Sequence, residues 1–414
     1  MANTKRSYSE EDKEKREKLK KDILASIFRE RKQPKNLREL GLSIVGNLPS
    51  NISMVQGMMK TVNWKAAQQE VLDGLSNVVV IVGQPNTGKS TLFNKIKGQM
   101  LSPVSPQSGT TRTLVRTDFG PFTLVDTPGH LPDVMQSGMD QASVIVFLID
   151  ASKGMQTQDR DLYETIKKLK KPTIIAVNKV DSLKGGESGD QFATEVAVIL
   201  DSPGVIPISG KTGENVAEEL IPAIIDASPE AALVIGRELP AYRYEAAQRI
   251  IRNAMLVSLA AGMEPIPFID IPILLGTQVR LVLRLAALYG EPLDSADALK
   301  HARKLIATLI GGIGMRYLAQ QAAKVVPFGG DFIAGTIAGA ATWSIGQVAL
   351  EFYEGGKHLS PRNLQQLALG FYQRFRHEHP DQELQDLARK ELNGHEPIPL
   401  EKPKEENILE EGTA

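Results

Sequence analysis

Val78-Val-Val-Ile-Val82 followed by Gly83-Gln-Pro-Asn-Thr-Gly-Lys-Ser90 is the stretch on which the fold turns. The unbroken β-branched run reads as a buried strand, and the residues after it fit the pattern G-x-x-x-x-G-K-[ST]. Thr91-Leu-Phe-Asn-Lys-Ile96 then starts a helix. A polyphosphate needs this order, because successive backbone N–H groups and the positive end of a helix must converge on one anion. Gly83 and Gly88 allow a backbone that side chains would obstruct, Lys89 brings a point charge to the terminal phosphates, and Ser90 offers its hydroxyl to magnesium. Gln84, Pro85, Asn86, Thr87 and Thr91 complete the candidate phosphate contact.

Outward from this loop, residues 77 to 228 alternate strand and helix. Apolar runs at 122–125, 144–149, 173–177 and 205–208 are separated by amphipathic segments, with Leu162, Ile166 and Leu169 on one face and later Val216, Leu220 and Ile224. The pattern predicts an open, mostly parallel α/β sheet. In such sheets ligands sit beyond the carboxyl ends of the strands, so chemically active residues are expected just after each run.

Asp126-Thr-Pro-Gly-His130 ends one of these runs. A carboxylate there can hold magnesium through water, and Gly129 can place a backbone N–H where a terminal phosphate is sensed. Between this motif and the phosphate loop lies Ser108-Gly-Thr-Thr-Arg112, where Thr111, with Thr110 as its understudy, is the candidate hydroxyl on magnesium. Asn178-Lys-Val-Asp181 ends the next-to-last run. The Asp181 carboxylate can accept from both N1–H and the 2-amino group of guanine, a pairing adenine cannot return. Asn178 supports the loop, and the Lys179 stem packs over the ring. Ser209-Gly210-Lys211, after the last strand, fits a third base-contacting loop, in which a backbone N–H meets the guanine carbonyl.

With these motifs in order, residues 77–228 resemble the GTPase domain of the Era-like group, within the translation-factor-related class. Pro85-Asn-Thr-Gly-Lys-Ser-Thr-Leu-Phe-Asn94 is especially similar to that group. The resemblance implies a GTP-hydrolysing switch that binds GTP or GDP with Mg2+. It places Gly83, Asn86, Gly88, Lys89, Ser90 and Thr91 on phosphates and metal, and Thr111 and Asp126 on magnesium. Gly129 falls on the γ-phosphate, and Asn178, Lys179, Asp181, Ser209 and Lys211 on guanine. Lys89, Thr111 and His130 are the catalytic candidates. The position after Gly129 is His130, as in translation factors, whereas many Era-like relatives carry an apolar residue there; it could orient the attacking water. Several GTPases with Asn at the position of Asn86 hold a potassium ion there, so K+ joins the expected cofactors. Oxygen ligands could come from Asn86 and Gly109-Thr-Thr-Arg112.

The rest of the 414 residues bounds the partners. The chain has 48 basic and 49 acidic residues, so it carries no overall nucleic-acid signature. It has no cysteine, which excludes disulfides and thiolate chemistry. The first twenty residues lack an apolar core, against a secretory signal and for a cytoplasmic protein. Residues 1–76 are expected to form a charged, helical N-terminal extension, with 13 Lys and Arg against 8 Asp and Glu in the first forty residues. Trp64 and Val71 are expected to pack on the domain that follows.

Beyond Ser228 the chain turns rich in Ala, Leu, Gly and Arg, and helices are expected over 241–262, 272–289, 296–325 and 332–355. Residues 229–390 resemble a bacterial helical domain family of unknown function that often follows Era-like domains, through Pro267-Phe-Ile-Asp-Ile-Pro-Ile-Leu-Leu-Gly276 and Ala341-Thr-Trp-Ser-Ile-Gly346. Phe332–Leu350 carries no charge and contains Gly335-x-x-x-Gly339, a pattern shared by buried bundle helices and membrane helices. Residues 391–414 read as an acidic disordered tail. The expected function is a GTPase switch whose helical domain engages a membrane or protein partner at the cytoplasmic face. The alternatives are an RNA or ribosome-assembly GTPase and a nucleotide-independent scaffold.

Overall fold

The computed structural model describes residues 60, 62–76, 78–98, 116–119, 122–126, 139, 142–183, 188–262, 271–309, 330–355, 359–380, 382–384 and 386–387. Its N-terminal half is built on strands β1 (Val78–Gly83), β2 (Arg116–Phe119), β3 (Phe122–Asp126), β4 (Ala142–Asp150), β5 (Thr173–Asn178) and β6 (Ile206–Ile208). They form one sheet in the order β2-β3-β1-β4-β5-β6. β2 runs antiparallel to β3 and every other pairing is parallel, as expected for the α/β class. Helices of this half are α1 (Trp64–Gly74), α2 (Lys89–Lys97), α3 (Thr157–Lys168), α4 (Gly189–Leu200) and α5 (Ile221–Ala227).

The apolar runs are continuous because both faces of the sheet are covered. Val79, Ile81, Val144, Val146, Leu148 and Ala176 point to one face, where they pack with Leu92, Ile96, Ile224 and the α1 residues Trp64, Ala67 and Val71. Their sequence neighbours Val80, Val82, Ile145, Phe147, Ile149, Ile175 and Val177 point to the other, against Leu162, Tyr163, Ile166, Ala193 and Val196 of α3 and α4. A period of two divides one apolar string between two layers.

After Ser228 come α6 (Pro229–Glu238), α7 (Arg243–Gly262), α8 (Ile271–Leu288), α9 (Ala296–Leu309), α10 (Gly330–Glu354) and α11 (Pro361–Glu378). The expected helices are present within one or two residues, except that the stretch expected over 296–325 is described only to Leu309. α6 was not foreseen, and its run Ala231–Gly236 is buried throughout. That is the signature of a helix with neighbours on every side. α6 packs on β1 and β4, on α7 and α8, and on α1, so sheet and bundle share one apolar core.

α10 is the central helix of the bundle, which accounts for the absence of charge over its residues 332–350. Ala338, Ala341, Ile345, Val348 and Ala349 are buried in it, and so are Thr342, Ser344 and Gln347. The polar groups are satisfied: Thr342 donates to Ser258 Oγ at 2.8 Å and Ser344 Oγ donates to Ala368 O at 2.5 Å. Gln248 and Gln347 exchange amide hydrogen bonds of 3.2 and 2.8 Å. Small residues let the α7 backbone approach: a Cβ on Gly339 would lie 2.9 Å from Leu259 Cγ, and one on Gly346 2.8 Å from Ile251. Among the described residues no helix is long and apolar enough to cross a membrane, and of the two readings the sequence left open for 332–350 the buried bundle helix is the one described.

Candidate functional site

The strand ends are brought level by register. Gly83 stands opposite Asp126 on β3, Asp150 opposite Asn178, and Asn178 opposite Ile208. The chemically distinctive residues after each run therefore meet along one carboxyl edge of the sheet.

The phosphate loop folds as its glycines require. Gly88 has φ 93 and caps α2, and a Cβ there would come 2.4 Å from Asn178 Nδ2. At Gly83 a Cβ would come 2.5 Å from the Leu148 carbonyl oxygen. Lys89 is only 5% exposed, and its ammonium donates to the carbonyls of Gly83 at 2.8 Å and Gln84 at 3.0 Å, which fixes the charge inside the loop. Buried Thr87 closes the loop by donating from Oγ1 to Gln84 O at 2.9 Å. The Gln84 side chain reaches out to Gln158 O at 3.0 Å, at the start of α3. Asn86 is exposed, and among the described residues its side chain has no hydrogen-bond partner. Ser90 and Thr91 lie exposed in the first turn of α2, where unpaired helix N–H groups give the loop its positive end.

The loops after β5 and β6 are tied to this loop and to each other. Asn178, 1% exposed, donates from Nδ2 to Thr87 O at 2.8 Å and accepts at Oδ1 from the Gly210 amide at 2.8 Å. One carboxamide thus joins three loops. A Cβ on Gly210 would be tight, 3.0 Å from the Leu92 backbone. Ser209 is fully buried; its hydroxyl donates to Asp181 Oδ1 at 2.6 Å and accepts from the Thr212 amide at 3.0 Å. The Lys211 ammonium stands 3.9 Å from Asp181 Oδ2. Asp181 is therefore oriented by its neighbours on both carboxylate oxygens.

Asp150 was not singled out from the sequence, although it ends an apolar run as Asp126 does. Burial alone would push its carboxyl up, but hydrogen bonds from Lys179 and Ser152 and the Lys179 charge outweigh it and hold it below the ordinary value. Nearby, Asp159 is pushed up by burial and by the charge of Asp150, and its Oδ1 is buried without a hydrogen-bond partner among the described residues.

Of the expected site, Gly83–Thr91, Asn178–Asp181 and Ser209–Lys211 are brought together. Asp126 ends β3 beside Gly83, so positions 90 and 126 fall on the same edge of the sheet, and Ser and Asp are hard oxygen residue types of the kind magnesium takes. Thr110, Thr111, Gly129 and His130 lie outside the described residues.

These features define a P-loop nucleotide-binding fold. The family model described as "50S ribosome-binding GTPase" matches residues 78–179, and that described as "Domain of unknown function (DUF697)" matches 231–377. GTPase Era of Aquifex aeolicus is 30% identical over 203 residues, covering 44% of this chain and 67% of the relative. GTPase Der of Alkaliphilus oremlandii is 34% identical over 168 residues, covering 37% of each chain, so the chain spans little more than a third of that relative's length. A crystal structure of an Aquifex aeolicus Era variant bound to GDP and AlF4- is 29% identical, covers 43% of this chain and 66% of that one, and has a TM-score of 0.29. The chain belongs to the Era-like P-loop GTPases, with the domain of unknown function following the GTPase domain.

Proposed function

We propose that the protein hydrolyses GTP to GDP and phosphate as a nucleotide-dependent switch. The observation that carries this reading is the Asn178 carboxamide, which joins the phosphate loop to both base loops. In this reading residues 77–228 are the GTPase domain and 229–390 the helical domain, with 1–76 an N-terminal extension and 391–414 an acidic tail. Lys89 and the amides of Gly83–Thr91 hold the phosphates. Asp181, aimed by Ser209 and Lys211, accepts from guanine. The amides of Ser209 and Gly210 are already engaged, by Glu214 O and Asn178 Oδ1, which leaves that of Lys211 for the guanine carbonyl. Ser90, Thr111 and Asp126 would hold a magnesium ion, which when bound neutralises charge on the transferring phosphate. His130 is assigned to orienting water.

The assignment of guanine is tested by nucleotide competition. Native protein should prefer GTP over ATP, and Asp181→Asn should weaken GTP while improving xanthosine triphosphate, whose 2-position offers a carbonyl. Equal native affinity for ATP and GTP would refute it. In this reading the exposed Asn86 side chain offers its carbonyl oxygen to a potassium ion as an assistant charge. Single-turnover hydrolysis should then run faster in potassium than in sodium at equal ionic strength, with the difference lost in Asn86→Ala. Identical native rates in both salts would discard the cation.

The helical domain is assigned to engaging a membrane or a membrane protein. α7 runs antiparallel to α10, with Leu259 against Gly339 and Ile251 against Gly346, whereas Gln278 of α8 bonds Thr342 at 3.2 Å and Leu281 meets Gly346. The carboxyl end of α7 and the amino ends of α8 and α10 therefore share one end of the bundle. Contacts with the GTPase domain are made toward the other, through Tyr242 OH to Ala217 O at 3.0 Å and Arg249 Nε to Asp226 O at 2.9 Å. In sequence, the stretches 263–270 and 310–329 between these helices include Ile266, Phe268, Val325, Val326 and Phe328 beside Glu264, Asp270, Arg316 and Lys324, a mix of apolar and charged residues that suits a membrane-surface role. Flotation with liposomes in one nucleotide state over the other is the expected result. Sedimentation with ribosomes instead would support the RNA reading, which the family description "50S ribosome-binding GTPase" keeps in view.

A further inference from the structure

Asp150 lies in none of the motifs that frame the site, yet its carboxylate reaches both halves of it. The side chain is 5% exposed, and its two oxygens have separate duties. Oδ1 accepts from the Ser152 amide at 3.1 Å and the Ser152 hydroxyl at 2.6 Å, which caps the turn Ala151–Lys153. Oδ2 pairs with Lys179 Nζ at 2.7 Å, and that same ammonium donates to the backbone carbonyl of Asn86 at 2.6 Å. Lys153, 4.0 Å from Oδ2 and far more exposed, is a weaker neighbour. The clamp thus runs from β4 through a base-loop lysine to the phosphate loop. Both residues it joins have a left-handed backbone that is uncommon away from glycine, Asn86 with φ 66 and Lys179 with φ 69.

We propose that Asp150 is a positioning residue for guanine-nucleotide binding, which holds Lys179 on the phosphate-loop backbone at Asn86 and so fixes the spacing between base and phosphate subsites. The inference rests on the nucleotide reading above. A rigid spacing lowers the ordering cost of a ligand that must bridge both loops. Because the clamp grips the Asn86 backbone carbonyl and neither Lys89 nor the Asn86 side chain, it acts on affinity and KM and leaves kcat nearly untouched.

Asp150→Asn separates the two duties. Its carbonyl can still cap Ser152, but its amino group then faces the Lys179 ammonium, donor against donor, and releases the clamp. The Kd for GDP and the KM for GTP should each rise about tenfold or more, with kcat changing by less than about twofold. In a double-mutant cycle, adding Asp150→Asn to Lys179→Met should bring no further loss of GDP affinity, because the carboxylate no longer has an ammonium to hold. Ser152→Ala, on the turn side, should keep native affinity. Should Asp150→Asn not fold, Asp150→Ser carries the same cycle. Native GDP affinity in the Asp150 variant, or additive losses in the double variant, would overturn the clamp alone. Failure of the native protein to bind GDP would overturn the nucleotide reading and the clamp with it.

Discussion

A single buried carboxamide, Asn178, holds the site together. Its Nδ2 is bound by the carbonyl of Thr87 and its Oδ1 by the amide of Gly210, so a side chain at the end of β5 fixes loops that follow β1 and β6. Each bond satisfies a backbone group that would otherwise be buried unpaired, at a cost of about 1–3 kcal/mol. The glycines follow from this contact. Gly88 must lack a Cβ because Asn178 Nδ2 occupies that space, and at Gly210 one would be tight against the α2 backbone. The phosphate loop and the base loops are therefore parts of one hydrogen-bonded object, which is what a ligand with a charged end and an aromatic end requires.

The same economy of parts joins the two halves of the chain. α6 has a sheet on one side and helices on the other, and α1, which precedes the first strand, packs against α8. Arg280 pairs with Glu70 at 2.6 Å and Arg284 stands 3.9 Å from the same carboxylate across this seam, while Arg303 lies over the Trp64 ring at 5.1 Å. The exposed ion pairs contribute little, and the shared apolar core holds the contact. The π-helical turn Val216–Leu220 follows the last base loop within a few residues, and Tyr242 of the helical half bonds its Ala217 carbonyl. Nucleotide-binding loop and bundle are thus separated by one turn of chain.

Much of this was legible in the sequence, and for definite reasons. Strands buried on both faces leave long β-branched runs, and the rule that ligands gather beyond strand ends pointed to Lys89, Asn178, Asp181 and Ser209. The same rule pointed to Asp150 as well. It was passed over because Asp150-Ala-Ser-Lys-Gly154 matches no phosphate or base pattern, and its importance lies in a partner twenty-nine positions away in sequence. The role of Ser209 was legible only as a loop position; that its hydroxyl steers Asp181 depends on register between β5 and β6. α6 escaped because a short helix buried on every side has no polar face to mark its period. The uncharged stretch of α10 could not be read either way from composition, since the centre of a bundle and the interior of a bilayer select the same small, apolar residues.

Amide hydrogen exchange with and without GDP tests the unity of the site most directly. If Asn178 makes the three loops one object, saturating GDP should slow exchange together in residues 83–91, 178–181 and 209–211, and ADP at the same concentration should not. Protection confined to the phosphate loop, or equal protection by ADP, would contradict a guanine site assembled across the sheet edge.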